Sequence, residues 1–276
     1  MCDMQKCSSA SSTLPDINVP DHKRRAFLQG LAALPLAAVL ADSALAKAAA
    51  ERTMPVTVDM ASNEKITGHI ALPKGDGPHP TLILIHEWWG LNDYIKSVAD
   101  HFAEQGYIAF AVDLYQGQVA TTREDANKYR KAMDPMWATE ALVSVAKWLK
   151  SHSLSNGKVG TLGWCFGGGW SLNASLTTDV DATVIYYGNV KKSAEQLASL
   201  NSPVLGHFGT LDKNINQEMV NSFVVAANEA GKADLLDLHW YDANHAFANP
   251  TGSRYDSEDA ALALERTLAF LKQHLA

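Results

Sequence analysis

The sequence is poor in cysteine, in excess positive charge and in long hydrophobic runs, and each shortage excludes a class of protein. Its 276 residues contain three cysteines, too few for the disulfide framework of a small secreted scaffold. The formal net charge is −7, which argues against nucleic acid or an anionic membrane surface as a partner. The apolar run at residues 27–40 is shorter than the roughly 20 residues that a membrane-spanning helix needs, so no stable membrane span is expected.

This apolar run follows the pair Arg24-Arg25 and precedes the small-x-small segment Ala44-Leu45-Ala46. Paired arginines, a modest apolar stretch and such a cleavage site are together typical of a twin-arginine export signal. We therefore predict that residues 1–46 are an export signal, read by the export machinery and cleaved, and that the mature protein is periplasmic. The alternatives are a disordered tail with an incidental helix, or a retained anchor, which Pro35 disfavours.

The predicted signal carries four basic and four acidic residues, so its removal leaves the net charge at −7. About 230 residues then remain, enough for one domain with a sizeable core. Cys2 and Cys7 leave with the signal, and Cys165 becomes the only thiol. A lone thiol is a liability in an oxidising compartment unless it has a use, which favours a chemical role.

Residues 54–276 alternate between strand and helix patterns, after a predicted linker at residues 47–53, and show neither a repeat nor a second domain. The predicted strands lie at residues 55–60, 66–72, 81–85, 107–112, 158–162, 182–187, 203–208 and 235–241. The predicted helices lie at residues 94–105, 134–151, 170–176, 191–200, 217–230 and 256–274. Such alternation predicts a single α/β domain with a mostly parallel sheet and helices on both faces.

The segment Gly163-Trp164-Cys165-Phe166-Gly167-Gly168 has the pattern of a nucleophile elbow with a thiol at its tip. In such a strand–turn–helix the central residue has a strained backbone and an exposed side chain. Glycines two residues before and after Cys165 avoid collisions across the turn, and the positive helix N-terminus favours a thiolate. Cys165 is thus a candidate nucleophile, although an isolated cysteine is more often a small core residue.

A thiol nucleophile needs a base within hydrogen-bonding reach and a third group that orients the base. Asp212 follows the predicted strand that ends at residue 208, and His245 follows the one that ends at residue 241. The order nucleophile, acid, histidine, each on a loop after a strand, is that of an α/β-hydrolase fold. We therefore predict Cys165, His245 and Asp212 as catalytic residues. Asp242 is a competing acid, but it lies very close to His245 on the same loop.

The segment His86-Glu87-Trp88-Trp89-Gly90 follows the first buried strand, where this fold places an oxyanion donor. The backbone amides of Trp88 and Phe166 are therefore predicted to form the oxyanion hole. Glu87 is expected beside the thiol, and the alternative for it is a solvated loop charge. Three histidines in or beside strands are expected to be satisfied by local hydrogen bonds: His86, His207 and His239.

From about Met54 to the C-terminus the chain resembles the dienelactone hydrolase family (carboxymethylenebutenolidases), cysteine members of the α/β-hydrolase fold. The matching pieces are His86-Glu87-Trp88-Trp89-Gly90, Asp113-Leu114-Tyr115, Gly163-Trp164-Cys165-Phe166-Gly167-Gly168, Asp212 and His245-Ala246-Phe247. The resemblance implies a triad of Cys165, His245 and Asp212. It also implies that Glu87 contacts the thiol in the resting enzyme and takes part in its activation when substrate binds. Within the matching segments, the expected substrate contacts are Tyr115, Trp89 and Phe247.

Two positions depart from the family's pattern and limit what it implies about the substrate. The dienelactone-cleaving members carry one arginine two residues after the tyrosine of the Asp-Leu-Tyr segment and another four residues after the histidine. Both hold the substrate carboxylate, a task that suits the planar guanidinium. Here these positions are Gly117 and Asn249, so poor use of anionic lactones is expected. Arg123 or Arg254 could substitute from nearby loops, but neither matches the pattern. Candidates for lining a more apolar pocket, with some expected in the core, are Trp88, Trp89, Trp137 and Trp164.

The sequence therefore predicts an exported hydrolase of a lactone or small ester that works through a Cys-His-Asp triad and a thioester acyl-enzyme. Its expected partner is a small-molecule substrate, and neither a metal nor an organic cofactor is expected. The nearest alternative is a thioesterase or other acyl-transfer enzyme on the same triad. The other is a non-catalytic exported binding protein that keeps the fold.

Overall fold

The structure is a computed structural model that describes residues 36–276; the predicted arginine pair, most of the apolar run, Cys2 and Cys7 lie outside this range. One sheet is built from the strands β1 (Met54–Asp59), β2 (Lys65–Ala71), β3 (His79–Ile85), β4 (Ile108–Val112), β5 (Ser155–Trp164), β6 (Ala182–Tyr186), β7 (Val204–Gly209) and β8 (Leu236–Tyr241). Their order is β1-β2-β4-β3-β5-β6-β7-β8. The pairs β1–β2 and β2–β4 are antiparallel, and the remaining pairs are parallel.

The α-helices that the structure describes are α1 (Leu36–Ala41), α2 (Ser43–Ala50), α3 (Asp93–Glu104), α4 (Arg123–Ala132), α5 (Pro135–Lys150), α6 (Phe166–Thr177), α7 (Ala194–Leu197), α8 (Gln217–Glu229) and α9 (Ser257–Leu275). A short 3-10 helix, Ala233–Leu235, precedes β8. The predicted α/β architecture with a mostly parallel sheet is confirmed. Within residues 36–276, no helix combines the length and the apolar character that crossing a membrane requires.

Strand β3 lies in the middle of the sheet, and helices cover both of its faces. Leu82 and Leu84 pack with α3 and α9 on one face, whereas Ile83 and Ile85 pack with α5 and α6 on the other. All four side chains are fully buried, which explains why the strand is a continuous apolar run rather than an alternating one. Because β3 to β8 are parallel, their carboxyl ends open on one edge of the sheet, and the loops that carry the candidate site leave from that edge.

The segment before β1 is folded onto the domain, which corrects the predicted linker at residues 47–53. Helix α2 contains Lys47–Ala50 and packs against α3, with Ala46, Ala49 and Ala50 buried. Asp42 caps the helix by accepting hydrogen bonds from the amides of Ala44 (2.8 Å) and Leu45 (3.2 Å), and alanine has the highest helix propensity. Arg52 then forms ion pairs with Asp100 and Glu104 on α3.

The sequence pattern does not predict helix α4, because this segment lacks an apolar stripe. Arg123–Ala132 is mostly charged and polar, and only Ala126 is buried. The helix is stabilised at its N-terminus instead, where the Thr122 hydroxyl accepts a hydrogen bond from the amide of Asp125 over 3.1 Å. Such a cap satisfies a donor that the first turn leaves free.

Candidate active site

Cys165 lies between β5 and α6 in a conformation with φ 53° and ψ −111°, which non-glycine residues rarely adopt. The turn is tight on both sides. A β-carbon on Gly163 would lie 2.1 Å from the carbonyl oxygen of Gly167, and one on Gly167 would lie 2.1 Å from that of Ile85. The two elbow glycines therefore allow the start of α6 to press against the ends of β5 and β3. Cys165 is a half-buried free thiol at the tip.

Cys165, His245 and Asp212 form one hydrogen-bonded chain. Nε2 of His245 lies 3.1 Å from Sγ of Cys165, and Nδ1 lies 2.6 Å from Oδ2 of Asp212. The other carboxylate oxygen, Oδ1, accepts from the amides of Asn214 (2.8 Å) and Ile215 (3.0 Å), which fixes the carboxylate. The Asp212 side chain is 1% exposed and that of His245 12%. The structure thus brings together the three residues that the sequence order predicts.

The electrostatics of this chain favour an ionised Asp212 and a proton on His245. Burial alone would raise the pKa of Asp212, but the hydrogen bond with His245 and the two backbone amides lower it below its ordinary value. Burial alone would lower the pKa of His245, but its hydrogen bonds with Asp212 and Cys165 raise it above its ordinary value. The competing acid, Asp242, is exposed and accepts from the Thr210 hydroxyl instead, so it is not the partner of the imidazole.

The two amides predicted for the oxyanion hole donate to no group among the described residues. Phe166 is the first residue of α6, where a helix leaves its amides free. Trp88 lies in the loop after β3, close to α6, since a β-carbon on Gly167 would lie 2.6 Å from the carbonyl oxygen of His86. Both N–H groups are therefore available, on neighbouring segments, to bind an oxygen.

Glu87 is a buried carboxyl, 4% exposed, and its hydrogen-bond partner is Asn249. Nδ2 of Asn249 donates to Oε2 over 2.6 Å, whereas Oε1 is buried without a hydrogen-bond partner among the described groups. Burial raises the pKa of Glu87, against the opposing effects of Asn249, His245 and Arg254. The hydrogen bond of the thiol goes to His245, so the resting contact between Glu87 and the thiol is not a hydrogen bond here. The alternative of a solvated loop charge is wrong, because the side chain is buried.

A cavity of about 350 Å³ opens beside the thiol, with Cys165, His245 and Glu87 on its wall. Two arginines also line it: Arg123, at the start of α4, and Arg254, on the loop after β8. Both are exposed. Guanidinium groups in such positions suit a carboxylate or another planar anion.

Two of the four tryptophans predicted as candidates for the pocket line this cavity. Trp88 and Trp89 lie on its wall, with their ring centroids 4.9 Å apart. Trp137 and Trp164 pack into core clusters instead. Across residues 36–276, no group of three or more His, Cys, Asp or Glu side chains has the arrangement of a metal site.

Tyr115 and Phe247 correct the predicted set of substrate contacts, since neither lies on the cavity wall. The Tyr115 ring packs against His86 and Phe166, with centroids 4.7 and 5.4 Å apart. Phe247 is fully buried and packs against Tyr187. Both aromatic rings support the loops of the site from within the core, and of the three predicted contacts only Trp89 reaches the cavity.

The model of the dienelactone hydrolase family matches residues 66–275, from β2 to the end of α9. The chain belongs to the dienelactone hydrolase family. A carboxymethylenebutenolidase of Pseudomonas putida is 32% identical over 205 residues, which cover 70% of this chain and 86% of that protein. The protein usf of Aquifex pyrophilus is 33% identical over 223 residues, which cover 76% and 94% of the two chains.

The fold agrees with this family membership. The solved structure of a dienelactone hydrolase-like promiscuous phosphotriesterase from metagenomic libraries superposes with a TM-score of 0.72 at 20% identity, and covers 82% of this chain and 100% of that one. Together with the family match, the carboxymethylenebutenolidase relatives identify this dienelactone hydrolase-like protein as a hydrolase that acts on esters or lactones.

Proposed function

We propose that this hydrolase cleaves a lactone or small carboxylic ester by covalent catalysis at Cys165. The observation that carries the proposal is the position of the His245 imidazole, with Nε2 3.1 Å from the Cys165 sulfur and Nδ1 2.6 Å from Asp212. A nucleophile, a base and a group that orients the base are the minimum set for covalent acyl transfer.

In the first half-reaction the sulfur of Cys165 attacks the carbonyl carbon, and the thiol proton is held on Nε2 of His245. The negative charge that develops on the carbonyl oxygen is stabilised by the amides of Trp88 and Phe166. The C–O bond then breaks, and His245 gives the proton to the leaving alkoxide. The product is a thioester on Cys165; for a lactone, the new hydroxyl stays attached to the acyl group.

In the second half-reaction water attacks the thioester while His245 takes one of its protons. The C–S bond breaks, the carboxylic acid leaves, and the proton on His245 returns to the sulfur. Asp212 remains ionised throughout and keeps Nδ1 of His245 protonated, so that Nε2 is the atom that exchanges protons with the reacting groups.

Glu87 completes the proposed catalytic set by helping to activate the thiol when substrate binds. Its burial, its position on the cavity wall with Cys165, and the unpartnered Oε1 support this role. Arg123 and Arg254 support a substrate that carries an anionic group, because they place two cations on the cavity wall, whereas the family's two arginine positions are Gly117 and Asn249 in this chain. The arginines predicted only as possible substitutes are thus the best candidates for holding a carboxylate.

The decisive experiment compares wild type with Cys165→Ala on p-nitrophenyl acetate and on a simple lactone. We expect hydrolysis to fall to the background rate while the thermal unfolding midpoint is retained, and mass spectrometry of quenched wild type to find the acyl group on the Cys165 peptide. Hydrolysis by Cys165→Ala at the wild-type rate would refute the proposal. Faster turnover of matched thioesters than of oxygen esters would favour a thioesterase, and an inert wild type with a slow, ordinary thiol would favour a binding protein.

We also propose export by the twin-arginine route, on the sequence pattern alone. Arg24→Lys together with Arg25→Lys should then keep the protein in the cytoplasm, whereas wild type is recovered from the periplasm with a new N-terminus near Lys47. Equal distribution of both forms between the compartments would refute export by this route.

A further inference from the structure

His86 is fully buried beside the site, and its hydrogen bonds define its tautomer. The amide of Leu114 donates to Nε2 over 3.2 Å, so Nε2 is an acceptor and carries no proton. Burial lowers the pKa of His86, and the neutral ring therefore carries its proton on Nδ1. Nδ1 lies 2.6 Å from the carbonyl oxygen of Glu87, to which it donates.

This bond holds the peptide unit that contains the amide of Trp88. In a trans peptide the C=O and N–H groups point in opposite directions, so a carbonyl held toward His86 turns the N–H away from it. The same carbonyl of Glu87 also accepts from Gly90 over 3.2 Å. The His86 ring stacks on the ring of Phe166, with centroids 5.7 Å apart and planes 14° apart. One side chain thus contacts the peptide unit that carries the Trp88 amide and the ring of Phe166.

We infer that His86 is a positioning residue for the oxyanion hole, which it serves by donating from Nδ1 to the Glu87 carbonyl and so aiming the Trp88 amide at the developing oxyanion. This inference rests on the proposed function. It extends that function to a residue that touches neither substrate nor thiol. Two hydrogen bonds of the imidazole, from the Leu114 amide and to the Glu87 carbonyl, connect the segment after β4 to the loop after β3.

The test uses two variants that differ in which ring nitrogen they replace. In His86→Asn the side-chain amide takes the place of Nδ1 and keeps a donor for the Glu87 carbonyl. In His86→Gln the amide takes the place of Nε2 and reaches Leu114 instead. Two rates are measured at Cys165 on the full chain: acylation by p-nitrophenyl acetate, which develops an oxyanion, and alkylation by iodoacetamide, which does not. Peptide mass spectrometry assigns both reactions to Cys165.

We expect His86→Gln to lower the ratio of the acylation rate to the alkylation rate by roughly 10- to 100-fold. The upper value is the effect of losing one oxyanion donor completely. The ratio for His86→Asn should stay close to that of wild type. His207 supplies the matched control, since it is also fully buried and its ring nitrogens bond Tyr241 and Thr267. Both His207→Asn and His207→Gln should leave the ratio unchanged, even where they lower the unfolding midpoint.

An unchanged ratio in His86→Gln, or equal losses in the Asn and Gln variants, would overturn the inference while acylation of wild type continued to support the function. Absence of acylation at Cys165 in wild type would instead overturn the function itself. If His86→Gln does not fold, the affinity of His86→Asn for an aldehyde inhibitor, which forms an oxyanion-like adduct with the thiol, carries the test. An affinity of His86→Asn close to that of wild type supports the role, and an affinity roughly tenfold or more below that of wild type overturns it.

Discussion

Asn249 donates a hydrogen bond to Glu87 across 162 residues of sequence, and the orientation of its amide is fixed. Oδ1 of Asn249 accepts from the backbone amide (2.9 Å) and the hydroxyl (2.7 Å) of Thr251, so the Nδ2 group is the one that faces Glu87. A buried carboxyl on the wall of the cavity beside Cys165 is thereby held by a neutral donor rather than by a cation. Such a donor opposes only part of the effect of burial, and the pKa of Glu87 is raised.

Glu87→Gln should be more stable than wild type at neutral pH. Because the folded pKa of Glu87 lies above its ordinary value of 4.5, the unfolded chain ionises first as the pH rises. The free energy of unfolding of wild type therefore falls from about the ordinary pKa up to the raised one and stays lower above it. Glutamine cannot ionise, so Glu87→Gln does not lose this part of the free energy of unfolding. Its gain in stability over wild type should vanish at low pH, where residue 87 of wild type is protonated in both the folded and the unfolded state.

Urea unfolding across this pH range measures the difference between the two proteins. The exposed Glu195 supplies the control, since Glu195→Gln should show no comparable pH-dependent gain. A Glu87→Gln variant that is less stable than wild type at every pH would show that the carboxyl is stabilised by contacts other than the Asn249 bond.

Asp212→Asn should lower kcat by about 10²- to 10⁴-fold, the range expected when a catalytic histidine loses the carboxylate that sets its tautomer. KM should change little, because Asp212 is 1% exposed behind His245 and does not reach the cavity. Asp242→Asn is the matched control and should retain activity. Steady-state ester hydrolysis measures kcat of both variants, and an equal fall in kcat would contradict the assignment of Asp212 rather than Asp242 as the acid.

Arg123→Gln and Arg254→Gln should each raise KM for a carboxylate-bearing ester by about tenfold. A hydrogen bond to a charged group contributes about 1.5–3 kcal/mol, and the lower end applies because both arginines are exposed. An uncharged ester of the same size should be turned over as before. Lys128→Gln on the same helix as Arg123 is the control, because Lys128 is exposed outside the cavity. If the substitutions raise KM equally for the charged and the uncharged ester, the arginines maintain the shape of the cavity and do not bind the substrate carboxylate.

Gly167→Ala should destabilise the protein by about 3 kcal/mol or more, at or beyond the upper end of ordinary overpacking. Its β-carbon would lie 2.1 Å from the carbonyl oxygen of Ile85, which belongs to the central strand and has no room to move. Gly169→Ala, two residues further along α6, meets the Asn189 carbonyl oxygen only at 3.2 Å and gains helix propensity. Its unfolding midpoint in urea should stay near that of wild type, and similar midpoints for the two variants would mean that the turn around Cys165 has room for a β-carbon at residue 167.

The sequence was sufficient to predict Cys165, His245 and Asp212 as neighbours, for a physical reason. Parallel strands deliver the loops at their carboxyl ends to one edge of the sheet, so residues that directly follow β5, β7 and β8 meet wherever the strands are recognised. The buried strands were recognised because continuous apolar runs of this length suit a two-sided core. To predict that Cys165, Asp212 and His245 lie close together, it is therefore enough to know where these strands end. No knowledge of side-chain packing is required.

Features that depend on side-chain direction were not predictable in this way. Nothing in the pattern distinguishes Trp89, which reaches the cavity, from Phe247, which packs into the core two residues after His245. The hydrogen bond between Glu87 and Asn249 depends on the conformation of the loop after β8, in which Thr251 fixes the orientation of the Asn249 amide. Helix α4, which brings Arg123 to the cavity, lacks apolar periodicity and is set by a single capping threonine.

The packing of α2 against α3 has a consequence for any peptidase that cuts after Ala44-Leu45-Ala46. A protease binds its substrate backbone extended, yet these residues lie inside a helix capped by Asp42, with Ala46 buried. Cleavage of the folded chain must therefore wait for α2 to unwind, and its rate reports the local opening equilibrium of that helix. Arg52 lies beyond the cut, so its ion pairs with α3 would keep the new N-terminus attached to the domain.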